Sequence, residues 1–210
     1  MTHWLRRCVE VVGDWIFLIR RDGWKSSRSR IVKELGHLPY RKMHYLVLAR
    51  SLADSIPEFP VKRAIAIRSF TKDDLEFVRR EYLPSEANLC QRRLSKGQLG
   101  FVASVDGQTA GYCWLAKNDA LERVRLFTEP GDILAPNAFT APVFRNIGIK
   151  TALAIECLCL ARESGYGRII TYIESDNRPS RKIWQNKLGA KIIGRFVFQR
   201  IGFFRMIRYQ

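Results

Sequence analysis

The most informative stretch of the chain is Pro142-Val-Phe-Arg145-Asn-Ile-Gly148-Ile-Lys150-Thr-Ala-Leu153. Its pattern is typical of a strand end, a turn with arginine and glycine, and the start of a long apolar helix. The first N–H groups of a helix have no acceptor within the helix, so they can bind an anion. Gly148 lets the backbone approach that anion closely, and Arg145 and Lys150 add positive charge. The stretch therefore predicts a phosphate-binding turn at a helix N-terminus.

Two widespread phosphate-binding loops do not match this turn. A Walker A loop has adjacent glycine and lysine, with another glycine five residues before the first of them. Here Ile149 separates Gly148 from Lys150, and Val143 occupies the earlier position. The G-x-G-x-x-G of dinucleotide-binding folds is absent as well. Both comparisons argue against a nucleoside triphosphatase and a dinucleotide-dependent enzyme.

The regions on either side of the turn alternate between strand and helix patterns. Asp106-Gly107 is a hairpin signal between two strand-like runs. Thr71, followed by Asp73 and Asp74, is a helix start with acidic residues in the first turn. The predicted order of elements is βααβββαβαββ, which gives one mixed α/β domain. The predicted strands are 63–70, 99–105, 109–116, 133–141 and 168–174, with two more after Gly189; the predicted helices start at 71 and cover 84–96, 151–163 and 179–188.

A second stretch, Asn177-Arg-Pro-Ser180-Arg-Lys-Ile-Trp184-Gln-Asn-Lys187-Leu-Gly189-Ala190, follows the predicted strand 168–174. The two stretches together resemble the GNAT (Gcn5-related N-acetyltransferase) superfamily, and the order of elements over residues 63–210 resembles it too. Four residues match the coenzyme A motif of the family: Arg145, Gly148, Ile149 and Leu153. Four more match the segment that follows it: Asn177, Ser180, Lys187 and Gly189.

The resemblance implies a GNAT fold, with a central mixed, mostly antiparallel sheet that splays between its fourth and fifth strands and helices on both faces. It implies acetyl-CoA or another short acyl-CoA as co-substrate and no metal. The pantetheine arm is expected between strands 133–141 and 168–174. The residues expected to bind the coenzyme are Ala138, Phe139, Thr140 and Ala141 beside the thioester, Asn146, Ile147, Gly148, Ile149, Lys150, Thr151 and Arg145 at the pyrophosphate, and Asn177, Ser180 and Trp184 on the last helix.

Two positions depart from the family pattern. Lys150 replaces the usual glycine or alanine, and its side chain is expected either to reach a phosphate or to point into solvent. Trp184 replaces the tyrosine that often protonates the leaving thiolate, and an indole cannot give a proton in this way. Transfer in the family is usually a direct attack by a neutral amine, from which a base removes a proton. The candidate bases are Glu174 on the fifth strand and Asp132 at the start of the fourth.

Residues 1–62 differ from the acyltransferase-like domain predicted over 63–210. Aromatic residues such as Trp15 and Trp24 alternate with cations such as Arg20, Arg21 and Lys25. Two interpretations remain open: a helical extension packed on the domain, or an anchor through residues 1–50 on an anionic membrane surface. No apolar run is long enough to span a bilayer, and no cleavage site typical of a signal peptide follows 9–19. The expected location is the cytoplasm, with peripheral contact to the inner face of the membrane as the second interpretation.

The formal net charge of +16 favours an anionic partner without naming it. The best-supported function is acyl-CoA-dependent N-acyltransfer, with a small-molecule or envelope-precursor amine as acceptor. The alternatives are a non-catalytic acyl-CoA-binding scaffold and a nucleic-acid-binding protein, although no recognised nucleic-acid-binding motif is present. The five scattered cysteines indicate neither a disulfide framework nor a zinc site.

Overall fold

The computed structural model describes residues 3–36, 40–59, 64–117, 122–201 and 204–210. The helices in this part of the chain are α1 (His3–Gly36), α2 (Asp74–Glu81), α3 (Pro84–Ser95), α4 (Ile149–Glu163) and α5 (Arg178–Arg181). The strands are β1 (Tyr40–Ser51), β2 (Ile65–Ser69), β3 (Leu99–Val105), β4 (Gln108–Lys117), β5 (Asp132–Leu134), β6 (Ala138–Thr140), β7 (Arg168–Glu174), β8 (Lys191–Ile201) and β9 (Phe204–Tyr209).

The chain divides into two compact units. The first comprises Met1–Met43, Thr71–Lys96 and Phe198–Ile207, and the second comprises His44–Phe70, Gly97–Val197 and Arg208–Gln210. The strands follow the order β2-β3-β4-β5-β7-β1-β8-β9, and β6 pairs with β4. Antiparallel pairs predominate, while β5 and β7 run parallel. The predicted mixed, mostly antiparallel sheet with helices is therefore confirmed.

In the first unit, α1 packs on α3 through a buried carboxylate. Asp14 accepts hydrogen bonds from the Ser85 N–H at 3.0 Å and from the Ser85 hydroxyl. Ser85 lies in the first turn of α3, whose N-cap residue Leu83 has no side chain that can cap a helix. Asp14 therefore satisfies an N–H group that α3 itself leaves without an acceptor. This contact holds one face of α1 in place.

The second unit has a hydrophobic core between α4 and the sheet. Leu153 and Leu158 on α4 are fully buried. They belong to one cluster with side chains of β3, β4 and β7, among them Phe101, Leu115 and Ile169. Each such aliphatic side chain contributes about 1.5–3 kcal/mol relative to an exposed position. This core holds α4 against the sheet, where it contacts β4 and β6.

Residues 40–51 differ from the sequence prediction. The sequence pattern places them in the extension 1–62, but they form β1, which pairs antiparallel with β7 from Tyr45 opposite Glu174 to Ser51 opposite Arg168. The boundary at residue 62 therefore does not separate the sheet from the rest of the chain. The reason is burial, because 45–50 is an almost fully buried run that needs neighbouring strands on both sides.

The predicted strand 133–141 is two strands in the structure. β5 pairs with Ala116 and Lys117 of β4, whereas β6 pairs with 111–113, and the register shifts by one residue between them. Pro136 lies in the intervening segment and has no N–H to donate to a neighbouring strand. The predicted helix 179–188 is likewise a short α5 followed by a π-helical turn, Lys182–Lys187.

Candidate functional site

The phosphate-binding turn predicted from the sequence lies at the start of α4. Gly148 has a backbone φ angle of +101°, which residues other than glycine rarely adopt. The first helical hydrogen bond of α4 runs from the Ala152 N–H to the Gly148 carbonyl at 2.9 Å. The N–H groups of Ile149, Lys150 and Thr151 therefore have no acceptor within the helix. Free N–H groups at a helix start are able to bind an anion, and the exposed Arg145 lies three residues before Gly148.

The sheet opens directly before this turn. β5 pairs with β7 only from Asp132 to Leu134, and the described backbone shows no pairing of β6 with β7. The Trp114 N–H donates to the Asn137 carbonyl at 3.1 Å, and the Ala141 N–H donates to the Ala110 carbonyl at 2.9 Å. Because the peptide groups of a strand alternate in direction, those of β6, between Asn137 and Ala141, include groups that face away from β4. We call this opening between β6 and β7 the splay.

Backbone groups line both sides of the splay. On β6 they belong to Ala138 and Thr140, the residues that alternate with those bonded to β4. On β7 the Ile170 carbonyl accepts from the Ala135 N–H at 2.8 Å, so the peptide groups of Tyr172, two residues further, face the same side. Strand edges of this kind can pair with an extended amide-containing chain. The predicted separation of the fourth and fifth strands is therefore present.

The β6 side of the splay is held close to β4. A Cβ on Gly111 would lie 2.5 Å from the Phe139 carbonyl oxygen, so only glycine fits opposite Thr140. The Thr140 hydroxyl oxygen is buried and has no hydrogen-bond partner among the described residues. A buried hydroxyl without a partner is unfavourable and is a group that a polar ligand can satisfy. Thr140 is one of the residues predicted from the sequence to contact the coenzyme.

The two sequence motifs meet at Lys150. Its Nζ donates to the Ser180 Oγ at 3.0 Å, and the Asn177 Oδ1 accepts from the Ser180 N–H at 3.2 Å. Asn177 thereby caps α5, and the Asn177 N–H donates in turn to the Glu174 carbonyl at 2.9 Å. Of the two expectations for Lys150, the one that pointed it into solvent is therefore wrong. Burial lowers the pKa of the Lys150 ammonium, since low-dielectric surroundings disfavour its charged form.

Glu174 ends β7 next to a tyrosine of β1. The Tyr45 hydroxyl donates to the Glu174 Oε1 at 3.3 Å, and the half-buried carboxylate remains partly accessible. The Tyr45 ring is held by stacking on Phe196 at 4.8 Å and by an edge contact with Tyr172 at 5.6 Å between centroids. Sequence analysis missed Tyr45 because it placed residues 1–62 outside the domain. The buried apolar run that follows Tyr45 was the available signal.

Asp132 does not share this location. Its buried carboxylate accepts from the Arg168 guanidinium at 2.9 and 2.8 Å and from the Glu129 N–H at 2.7 Å. Asp132 lies opposite Arg168, the first residue of β7. Arg168 is six residues before Glu174, so Asp132 and Glu174 are about 20 Å apart along the strand. A carboxylate with three hydrogen bonds at that end of the sheet joins β5 to β7. The structure therefore separates the two acids proposed as bases.

Trp184 lies in the π-helical turn and is only 6% exposed. It belongs to the same hydrophobic cluster as Leu153, Leu188 and Ala190. This buried position indicates that the Trp184 side chain contributes to packing of the core. Helix α5 and the turn after it place Ser180, rather than Trp184, next to Lys150.

Replacing Trp184 by phenylalanine is expected to keep most activity and to lower stability by about 1–3 kcal/mol, because the smaller ring leaves part of the core unfilled. Trp184→Tyr is expected to keep or raise activity, since it supplies a hydroxyl that the indole lacks. Steady-state kinetics and thermal unfolding of both variants measure this. Loss of turnover in a folded Trp184→Phe protein contradicts the packing assignment.

The comparisons with known proteins agree with this geometry. The family model described as the acetyltransferase (GNAT) family matches residues 64–190. Among solved structures, a GCN5-related N-acetyltransferase from Sphaerobacter thermophilus is 16% identical with a TM-score of 0.56. The match covers 83% of this chain and 56% of that one. A Drosophila protein is 11% identical with a TM-score of 0.56, and 85% of this chain covers 57% of it. The chain thus spans a little over half the length of these two structures.

A third structure is a GCN5-related glucosamine N-acetyltransferase region of a fungal multi-domain GH3 β-N-acetylglucosaminidase. It is 14% identical with a TM-score of 0.59, and 83% of this chain covers 23% of that one. A search of curated protein sequences finds no significant match. Structures at these identities show the fold alone, whereas the family model matches more than half of the chain. The chain therefore belongs to the acetyltransferase (GNAT) family.

Proposed function

We propose that this protein is an acyl-CoA-dependent N-acyltransferase that moves a short acyl group, normally acetyl, to a primary amine. The observation that carries the proposal is the splay between β6 and β7, which opens onto the unpaired N–H groups at the start of α4. An extended pantetheine arm and a pyrophosphate need these two features in this order. Membership of the GNAT family supports the proposal.

The residues on either side of the splay fit the coenzyme chemically. The peptide groups of Ala138, Thr140 and Tyr172 can pair with the amides of the pantetheine arm. The Thr140 hydroxyl has no hydrogen-bond partner among the described residues, and the coenzyme could supply one. The N–H groups of 149–151 bind the pyrophosphate, with Arg145 as an added cation. The remaining residues predicted for these two parts of the coenzyme are Phe139, Ala141, Asn146 and Ile147.

Glu174 acts as the general base in this proposal. Its carboxylate lies at the end of β7 that borders the splay, and the Tyr45 hydroxyl orients it. Glu174 accepts the proton that the amine loses as it attacks the thioester carbonyl, and peptide N–H groups of β6 stabilise the oxyanion. Transfer is direct, so the mechanism requires neither a covalent enzyme intermediate nor a metal.

Release of coenzyme A thiol tests the function. Purified protein is incubated with acetyl-CoA and a panel of amines: amino sugars, amino acids, polyamines and peptide N-termini. We expect amine-dependent thiol release for at least one class, above the rate without amine. If acetyl-CoA binds and no amine accelerates release, the protein is a non-catalytic acyl-CoA scaffold. Strongly salt-dependent retention on DNA without acetyl-CoA binding would instead indicate a nucleic-acid-binding protein.

We also propose that α1 contacts an anionic membrane surface. The face of α1 opposite Asp14 exposes Val9 (64%), Val12 (47%) and Ile16 (45%), and Arg20 is exposed along the same stripe. Trp24 (57% exposed) follows Gly23, whose φ of 76° and ψ of 160° interrupt the helix, and is not counted in this stripe. Apolar side chains at this spacing enter the headgroup region, and each nearby cation contributes about 1 kcal/mol on an anionic leaflet. No helix in the described residues has the length and apolarity that a membrane span requires. The contact is therefore proposed as peripheral.

Sedimentation with vesicles of phosphatidylglycerol and phosphatidylcholine tests this contact in the full chain. We expect binding at low salt that weakens as salt rises, because screening shortens the range of the charge attraction. Ile16→Glu should reduce binding severalfold, while Leu126→Glu, at a residue 69% exposed outside α1, should leave it unchanged. Truncation near residue 61 is unsuitable since it removes β1 from the sheet. Equal binding of both variants, or none by the wild type, contradicts the proposal.

A further inference from the structure

Buried side chains close the splay on the side of α4. Ile149 and Leu153 of α4 belong to one hydrophobic cluster with Ile173 of β7, and each of these residues is at most 5% exposed. The same helix contacts β6 on the other side of the splay. An acceptor that attacks a thioester in the splay must therefore approach from the opposite face of the sheet.

Strand alternation places Tyr172 and Glu174 on that opposite face. Successive side chains of a strand point to opposite faces of the sheet. Ile173 points toward α4, so the side chains on either side of it, Tyr172 and Glu174, point away from α4. Both are half-buried and remain partly accessible. The peptide groups of Tyr172 thus border the splay, while its ring lies on the face from which the acceptor approaches.

Phe139 of β6 lies on the same face. On β4, the Cys113 Sγ lies 3.7 Å from the Leu153 carbonyl oxygen, so Cys113 points toward α4. The adjacent Tyr112 therefore points away from α4. Phe139 pairs directly opposite Tyr112, and residues paired in this way share a face. Each strand that borders the splay thus carries one partly exposed aromatic ring on the acceptor side.

Other aromatic residues hold these two rings in place. The Tyr172 ring centroid lies 5.6 Å from that of Tyr45 and 6.0 Å from that of Phe196. The Phe139 ring centroid lies 5.7 Å from that of Tyr112. The three supporting residues are at most 8% exposed. Rings that are already held lose little freedom when a ligand binds, so they favour a rigid, flat partner.

We propose that the acceptor is a primary amine joined by a short linker to an aromatic ring, which Phe139 and Tyr172 bind beside Glu174. This inference rests on the proposed function, because it requires a thioester in the splay. Aromatic rings prefer offset or edge-to-face contact with another ring, so the two side chains act as specificity-determining residues. Glu174 lies two residues after Tyr172 and thus about 7 Å away along the strand. A short linker brings the amine of a ligand whose ring lies on Tyr172 to this carboxylate.

The transfer balances with the groups already assigned. The neutral amine attacks the thioester carbonyl carbon, the C–N bond forms, and the C–S bond breaks. Glu174 takes the proton that the nitrogen loses. Coenzyme A leaves as a thiolate with the bonding electron pair and takes a proton from water.

Three amines of equal carbon number test the preference in the full chain: 2-phenylethylamine, 2-cyclohexylethylamine and n-octylamine. Thiol release at saturating acetyl-CoA should give a kcat/KM for 2-phenylethylamine at least about tenfold above the other two, because only this amine has an aromatic face. Glucosamine, whose amine is attached to a polar ring, should be a poorer acceptor than 2-phenylethylamine.

Substitutions test the two rings. Tyr172→Leu and Phe139→Leu keep apolar bulk but remove the aromatic face. Each should lower the ratio of kcat/KM for 2-phenylethylamine to that for n-octylamine at least about threefold. Tyr166→Leu is the matched control, because it removes a partly exposed ring that packs against the core on the α4 side. It should leave the ratio unchanged.

Saturation-transfer NMR gives a readout that does not need turnover. 2-Phenylethylamine should bind the full chain in the presence of coenzyme A, and Tyr172→Leu should weaken this binding. Equal kcat/KM for the three amines, a preference for glucosamine, or an unchanged ratio in either Tyr172→Leu or Phe139→Leu overturns the inference. Binding of 2-phenylethylamine without thiol release for any amine would instead refute the proposed function, so the two failures are distinct.

Discussion

Gly148→Glu is expected to weaken acetyl-CoA binding at least about tenfold, or roughly 1.4 kcal/mol. The substitution places a carboxylate at the start of α4, against the unpaired N–H groups that are proposed to bind the pyrophosphate. It also forces a side chain onto a residue with φ of +101°. Calorimetric titration of the full chain with acetyl-CoA measures the effect.

Gly148→Gln separates charge from backbone strain in this experiment. Glutamine has nearly the same shape as glutamate and imposes the same strain, but it carries no charge. We expect its acetyl-CoA affinity to lie between those of the wild type and Gly148→Glu, with comparable thermal stability for the two variants. Wild-type affinity in Gly148→Glu would show that the coenzyme binds elsewhere.

The second large effect is expected at Glu174. Glu174→Gln should lower kcat about 100-fold or more, because the amide cannot accept the proton of the attacking amine. Acetyl-CoA affinity should change little, since the side chain is directed toward Tyr45 and is not part of the anion-binding turn. Steady-state kinetics at saturating acetyl-CoA, with calorimetry beside them, separate the two quantities.

Asp132→Asn is the contrasting variant, because it removes the other acid considered as a base. It should lower the melting temperature, since Arg168 loses a buried ionic partner, and kcat should stay close to wild type in the folded protein. A large loss of kcat in Asp132→Asn together with full activity in Glu174→Gln would reverse the assignment of the base.

Local patterns were enough to predict most elements of the second unit. The hairpin at Asp106-Gly107, the strand 168–174 and the apolar helix after Gly148 are each encoded by residues close in sequence. The turn before α4 could likewise be predicted from nearby residues, because the proposed anion site depends on one helix end and its preceding glycine. These features need no information about distant partners.

Other features depend on contacts between residues far apart in the chain. Tyr45 and Glu174 are 129 residues apart and meet because β1 pairs with β7. The Asp132 carboxylate could be predicted as an acid, but its pairing with Arg168 depends on the parallel register of β5 and β7. Proline and register together split 133–141 into β5 and β6, which opens the splay.

At Lys150, one feature follows from local sequence and another depends on distant contacts. The chain alone placed its charge at a helix N-terminus and left open whether the side chain reaches a phosphate or solvent. Packing of α5 beside the start of α4 brings Ser180 to within 3.0 Å of Nζ and buries the ammonium. Sequence patterns thus specified the helix end, because backbone geometry is local. Only strand pairing and helix packing specified the side-chain partners of Lys150, Glu174 and Asp132, because Ser180, Tyr45 and Arg168 come from distant segments.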